Sequence, residues 1–240
     1  MHELQKRYQK EIEELVETTV SLGEMGYVTS HGGNLSYRVD NDKVLITPTK
    51  VPKKKITFDD IVIVNINQEV LYSCNGRNPT GETPIHLNIL KKRPDIKGLI
   101  HAHPPVLTGF ALSNNEILSR PLLPEPIIEL GPVLYVEYEE PLSHKLAASF
   151  DNVLDKSNAF IMKNHGVMIC SPEGVSRALE LLEMLECMAY SVFVAAAAGN
   201  INEIEAHEVD NLENTMRIRE LPMPGRPGCV KCLREVYFGK

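Results

Sequence analysis

Residues 159–170 read AFIMKNHGVMIC. Two short runs of apolar residues, several of them β-branched or aromatic, flank Asn164, His165 and Gly166, and the Asn and Gly suit a tight turn. The stretch predicts two strands joined at one sheet end, with the His165 ring presented there. The period then changes. Ser171, Pro172 and Glu173 form a helix start signal, after which Ala178, Leu181, Leu182, Leu185, Met188, Ala189 and Val192 make an apolar stripe opposite Glu180, Glu183 and Glu186. Such a stripe reads as core or as a subunit contact.

Working outward, strands are predicted at VLIT from Val44, IVIVN from Ile61, EVLYS from Glu69, GLIHA from Gly98 and VLYVEY from Val133, separated by Pro, Gly, Asn and Asp turn signals. Helical spacing of Leu4, Tyr8, Ile12, Leu15, Thr19 and Leu22 opens the chain with one amphipathic helix that ends near Gly23 or Gly26. A shorter helix begins with Thr83 as its cap and Pro84 as its first residue, and Arg93 followed by Pro94 ends it. Helices therefore flank a central set of strands, an α/β or α+β layered domain without the strict alternation of a doubly wound fold. No internal repeat or linker divides the chain, so residues 1–240 are read as one domain.

Composition excludes several function classes. Hydrophobic residues make up 43% and charged residues 24% of the 240, as in ordinary globular proteins. A net charge of -7 and a pI near 5.7 leave no excess of Lys and Arg for a nucleic-acid backbone. The one dense basic run, Lys53, Lys54 and Lys55, is expected to be a solvated turn beside Pro52. The charged start lacks the apolar stretch of a signal peptide, and VFVAAAAG from Val192 continues an amphipathic helix, so a cytoplasmic protein outside the membrane is expected. The five scattered cysteines are expected as reduced thiols, and Cys229 and Cys232, a C-x-x-C without a second pair, make no zinc site by themselves.

In GLIHAHPP, His101 and His103 lie two apart at a strand end, which puts both imidazoles on one face. That spacing alone suits two polar side chains on a solvated face as well as half of a metal site. A third imidazole at a strand end, His165, matches a site with three protein ligands and an open position. Zn²⁺ fits these donors, as do Co²⁺, Mn²⁺ and Fe²⁺. Glu82, at the start of the short helix in PTGETPIH, is either an ordinary first-turn acid or a functional carboxylate, and His86 one turn on reads as packed beside it. The glycines of TSHGGNLS let backbone amides approach an anion, with Asn34 and Ser36 as further donors.

HGGNLS at 31–36, LITPT at 45–49, TGETPIH at 80–86, HAHPP at 101–105 and NHG at 164–166, in that order, resemble the class II aldolase and adducin-head family from about residue 5 to residue 200. The resemblance implies a three-layer domain with a central, mainly antiparallel sheet flanked by helices. It implies one divalent metal per chain on His101, His103 and His165, with Glu82 as a further ligand and as the base. It also implies a homotetramer with active sites at subunit interfaces, where Tyr237 of a neighbour takes part as a catalytic group. The phosphate of a sugar-phosphate substrate would meet Gly33, Asn34, Thr49, Thr80 and Gly81. Two departures stand out: Lys50 follows Thr49 where phosphate-binding members have glycine, and Thr80 and Gly81 replace paired serines. Lys50 suits a phosphate or a carboxylate, which extends the expected substrate to sugar acids. Glu125 stands near the place of the family's mid-chain tyrosine. The expected reaction is aldol cleavage or formation in a ketose phosphate or related hydroxy-keto acid through an enediolate. The alternatives are a decarboxylase or 4-epimerase on the same site and, from another class, an adducin-like binding module.

Overall fold

The computed structural model describes residues 1–113 and 115–239. In chain order its elements are α1 (Glu3–Arg7), α2 (Gln9–Glu24), β1 (Asn34–Arg38), β2 (Lys43–Ile46), β3 (Val62–Asn65), β4 (Val70–Tyr72), α3 (Thr83–Lys92), β5 (Gly98–Ala102), α4 (Pro105–Leu112), α5 (Pro124–Glu129), β6 (Leu134–Val136), α6 (His144–Ser149), β7 (Ala159–Met162), β8 (Gly166–Ser171), α7 (Val175–Ala198), α8 (Ala206–Ile218) and α9 (Leu233–Phe238). The eight strands form one sheet in the order β4-β3-β2-β1-β5-β8-β7-β6, antiparallel throughout except for the parallel pair β6 and β7.

Strand alternation sends side chains to two apolar layers. On one face Leu35, Leu45, Ile100, Ile161 and Ile169 pack against Ile12 and Leu15 of α2 and Leu182 and Leu185 of α7. On the other, Val44, Leu99, Phe160 and Met168 pack against Ile85 and Ile89 of α3 and Leu146 of α6. The domain is thus helix, sheet, helix, as expected. A smaller core of Ile127, Val209, Met216 and Leu233 joins α5, α8 and α9 at the C-terminal end.

Four local expectations need correction. The opening helix breaks at Tyr8 (φ -113°, ψ 30°), so its stripe is carried by two helices. HGGNLS is not all turn: Asn34 and Ser36 lie in β1, a strand the turn-rich composition conceals. Lys53 is buried at 2% exposure while Lys54 and Lys55 are exposed, so the basic run is not a fully solvated turn. Glu186, assigned to the polar face of α7, is buried, and its two oxygens accept N–H bonds from Val106 and Leu107 at 2.9 Å each. It thereby caps α4, because those amides lie in the first turn of the helix, where no intrahelical carbonyl can receive them.

The start of α3 also differs in detail. Glu82 occupies the N-cap position and Thr83 is the first helical residue, its hydroxyl donating to Thr80 O at 2.6 Å. Glu82 makes no side-chain cap, because its carboxylate is turned elsewhere.

Candidate metal centre

The period of two in β5 directs His101 to the face that holds Leu99 and α3, and the chain carries His103 just past the strand end. The β7–β8 turn, with Asn164 at φ 55°, brings His165 to the same place. Ring centroids are 4.7 Å apart for His101 and His103, 4.6 Å for His101 and His165, and 5.5 Å for His103 and His165. One nitrogen from each ring lies within 4.8 Å of the other two.

Glu82 closes the fourth side. Its Oε2 is 3.3 Å from His101 Nε2 and its Oε1 3.4 Å from His165 Nε2. Burial by itself would raise this carboxyl, but neighbouring His101, the Asn34 hydrogen bond, His165 and His86 outweigh it and bring it down to about 2. Burial first, and then the other imidazoles, pushes His103 down to about 3 and His165 to about 4. Imidazole nitrogens gathered around a fixed carboxylate, with His103 and His165 held neutral, are a suitable donor set for a divalent cation.

A buried nitrogen of His101 supports that fit. His101 Nδ1 lies 2.9 Å from Val167 O, a carbonyl that can only accept, so Nδ1 carries a proton and Nε2 is the nitrogen turned to the site. That Nε2 and His165 Nδ1 are buried without hydrogen-bond partners, a costly condition that an ion coordinated at the centre relieves for His101.

Asn34 and His86 fix Glu82. Asn34 Nδ2 donates to Glu82 Oε2 at 2.6 Å, so Asn34 Oδ1 must be the acceptor for His86 Nε2–H at 2.5 Å. His86 is fully buried and pushed down to about 3, chiefly by burial, so it is neutral and its Nδ1 accepts from the Ser36 hydroxyl at 2.7 Å. The relay Ser36, His86, Asn34, Glu82 aims the carboxylate at the histidines. The sequence pointed to His86 as a packed neighbour but held no signal for this chain of bonds, which depends on β1 lying beside α3.

The other expected residues fall in two places. Thr80 N–H donates to Thr47 O and Thr49 N–H to Asn78 O, both at 3.0 Å, which sets the segments of Thr49, Lys50, Thr80 and Gly81 side by side, next to β1. Lys50 is exposed and sits at φ 59°. Gly33, at φ 67°, leads into Asn34, and a Cβ there would stand 2.9 Å from His101 O and 2.3 Å from Val28 Cγ1, so only glycine fits. Tyr237 lies instead on α9, packed against the small C-terminal core, and burial raises its phenol well above 10. Glu125 is exposed on α5 in a groove it shares with Met184 and Cys187 of α7, and all five cysteines, Cys229 and Cys232 included, are free thiols.

Comparison with known proteins agrees with this geometry. The 3-oxo-tetronate 4-phosphate decarboxylase of Haemophilus influenzae is 29% identical over 211 residues, covering 86% of this chain and 96% of that protein. The L-fuculose phosphate aldolase of Methanocaldococcus jannaschii is 36% identical over 160 residues, 67% of this chain and 83% of that one. Among solved structures, YgbL of Escherichia coli superposes with a TM-score of 0.77 at 25% identity, covering 85% of this chain and 98% of its own. The sequence profile described as Class II Aldolase and Adducin N-terminal domain matches residues 13–192, three quarters of the molecule, and with the three histidines and Glu82 inside that span the chain belongs to this family.

Proposed function

We propose that the protein is a divalent-metal-dependent aldolase that makes or breaks a carbon–carbon bond in a ketose phosphate or a related phosphorylated hydroxy-keto acid. The observation that carries this reading is an ionised, buried Glu82, aligned by Asn34 and facing the cluster of His101, His103 and His165. When bound by His101, His103 and His165, a divalent ion supplies a Lewis acid toward the oxygens of the substrate, and Zn²⁺ is the first ion to test. Glu82 completes the donor set in the resting protein and, once substrate is present, moves the proton to or from carbon. Asn34 and His86 keep its carboxylate in line. Gly33, Thr49, Thr80 and Gly81 would receive the phosphate, and Lys50 a further anionic group. For the departing oxygen the reading takes Tyr237 of a neighbouring chain, a phenol that stays protonated at neutral pH, which requires a shared site in a homotetramer.

A second reading, decarboxylation of a phosphorylated keto acid, is favoured by the exposed Lys50 ammonium beside Thr49, placed to orient a carboxylate, and by the decarboxylase likeness over 86% of the chain. Products decide between them. Metal-loaded protein incubated with ketose phosphates and phosphorylated keto acids should release an aldehyde under the first reading and carbon dioxide under the second, while an isomer alone would mark an epimerase. Metal content should be close to one ion per chain and should fall in a His101→Ala, His103→Ala double variant; unchanged content would refute the ligand assignment. Mixing Tyr237→Phe with Glu82→Gln under subunit exchange should restore some activity, and a fully active Tyr237→Phe protein would remove that residue from the mechanism.

A further inference from the structure

The loop that carries Gly32 and Gly33 past the histidines is held from behind by a charge that has no counter-ion among the described residues. Lys53 is 2% exposed, and its ammonium reaches two backbone carbonyls, His31 O and Val51 O, each at 3.4 Å. Its backbone N–H donates to Ser30 O at 3.1 Å, so Lys53 grips the loop at two successive residues. Burial is the only influence resolved on its charge and pushes it down to about 8, with no carboxylate among its partners. A cation kept in such a place costs stability that a methionine of similar shape would not.

The other side of the loop borders the metal centre. A Cβ on Gly32 would stand 3.2 Å from His103 Nδ1, one on Gly33 2.9 Å from His101 O, and the next residue, Asn34, holds Glu82. With the carbonyls of Ser30 and His31 drawn back to Lys53, the N–H groups of His31 and Gly33, which have no backbone acceptor among the described residues, remain for a ligand. We propose that Lys53 is a positioning residue for the phosphate of the substrate: it turns the loop carbonyls backward, and its unbalanced charge is offset when a phosphate occupies the front of the loop. This rests on the reading that the glycine loop receives the substrate's phosphate.

Lys53→Met tests it, with Lys53→Gln as a second variant that removes the charge and keeps a donor for His31 O. The readouts are thermal unfolding, calorimetric titration with inorganic phosphate, and kcat and KM on the phosphorylated substrate. Lys53→Met should unfold at a higher temperature than wild type without phosphate, bind phosphate about ten-fold or more weakly, and show a KM raised in proportion with kcat nearly unchanged, as expected for a group that acts on binding and not on the chemical step. A folded variant of either kind that binds phosphate as wild type does, with unchanged KM, overturns the proposal alone. Wild-type protein to which phosphate does not bind overturns the phosphate reading of the loop and the proposal with it.

Discussion

At the scale of single residues, the chemistry depends on one carboxylate being ionised where burial opposes it. Glu82→Gln keeps the shape and the Asn34 contact while removing the charge, and should retain the fold and lose on the order of 10² to 10⁴ in turnover. Turnover near wild type would exclude Glu82 as the base. Lys53 gives a pH signature of opposite character. Its folded value, about 8, lies below the ordinary 10.5, so the unfolded chain binds more protons between those values. The stability that comes with a neutral Lys53 is full above 10.5, is lost as pH falls through 8, and is absent at neutral pH. Urea unfolding free energies should therefore show Lys53→Met exceeding wild type by about 3 kcal/mol at pH 7, the gap narrowing as pH rises from 8 towards 10.5. A gap that stays constant with pH would mean the ammonium is not desolvated in the fold.

At the scale of elements, α4 ties the end of β5 to α7. His103 is followed by Pro104 and then by α4, whose first amides are held by the buried Glu186 of α7. A helix start clamped by a carboxylate is favourable through both the hydrogen bonds and the helix dipole. Because α4 begins two residues after His103, the clamp also fixes where that ring stands. Glu186→Gln should cost about 1–2 kcal/mol in denaturant unfolding and weaken metal retention against a chelator by about ten-fold or more. If stability falls while metal affinity is unchanged, α4 does not position the ligand.

At the scale of the whole molecule, one face has no partner among the described residues. Tyr190, Phe193 and Val194 near the end of α7 are 58%, 60% and 46% exposed, and with Phe110 and Ile117 the two aromatics line an apolar groove of about 460 Å³. Clustered exposed aromatics of this kind mark association surfaces rather than free surface. Light scattering should give a mass near four chains of 26.9 kDa, and Phe193→Glu should shift it to smaller species. A monomeric wild type at micromolar concentration would sink the shared-site scheme.

What the sequence determined by itself was whatever depends on short-range periodicity. Short apolar runs between turn signals located β5 and β8, the 3.6 period located α7 and the helical start of the chain but not its break at Tyr8, and Asn-His-Gly located the turn that presents His165. Those local rules put each of the three imidazoles at a strand end, and the antiparallel pairing of β5 with β8 brings them together. The tertiary structure decided what depends on neighbours distant in the chain. Glu186 lies among acids on a helix whose other carboxylates meet water, and only the approach of α4, some eighty residues earlier in the chain, gives it two amides and buries it. Lys53 stands in a run of three lysines, and only packing against the 29–33 loop separates it from its exposed neighbours. Asn34, His86 and Glu82 become one relay because β1 pairs with β5 beside the start of α3. Periodicity says which face a side chain takes, whereas its charge state and partners are set by what else is folded against that face.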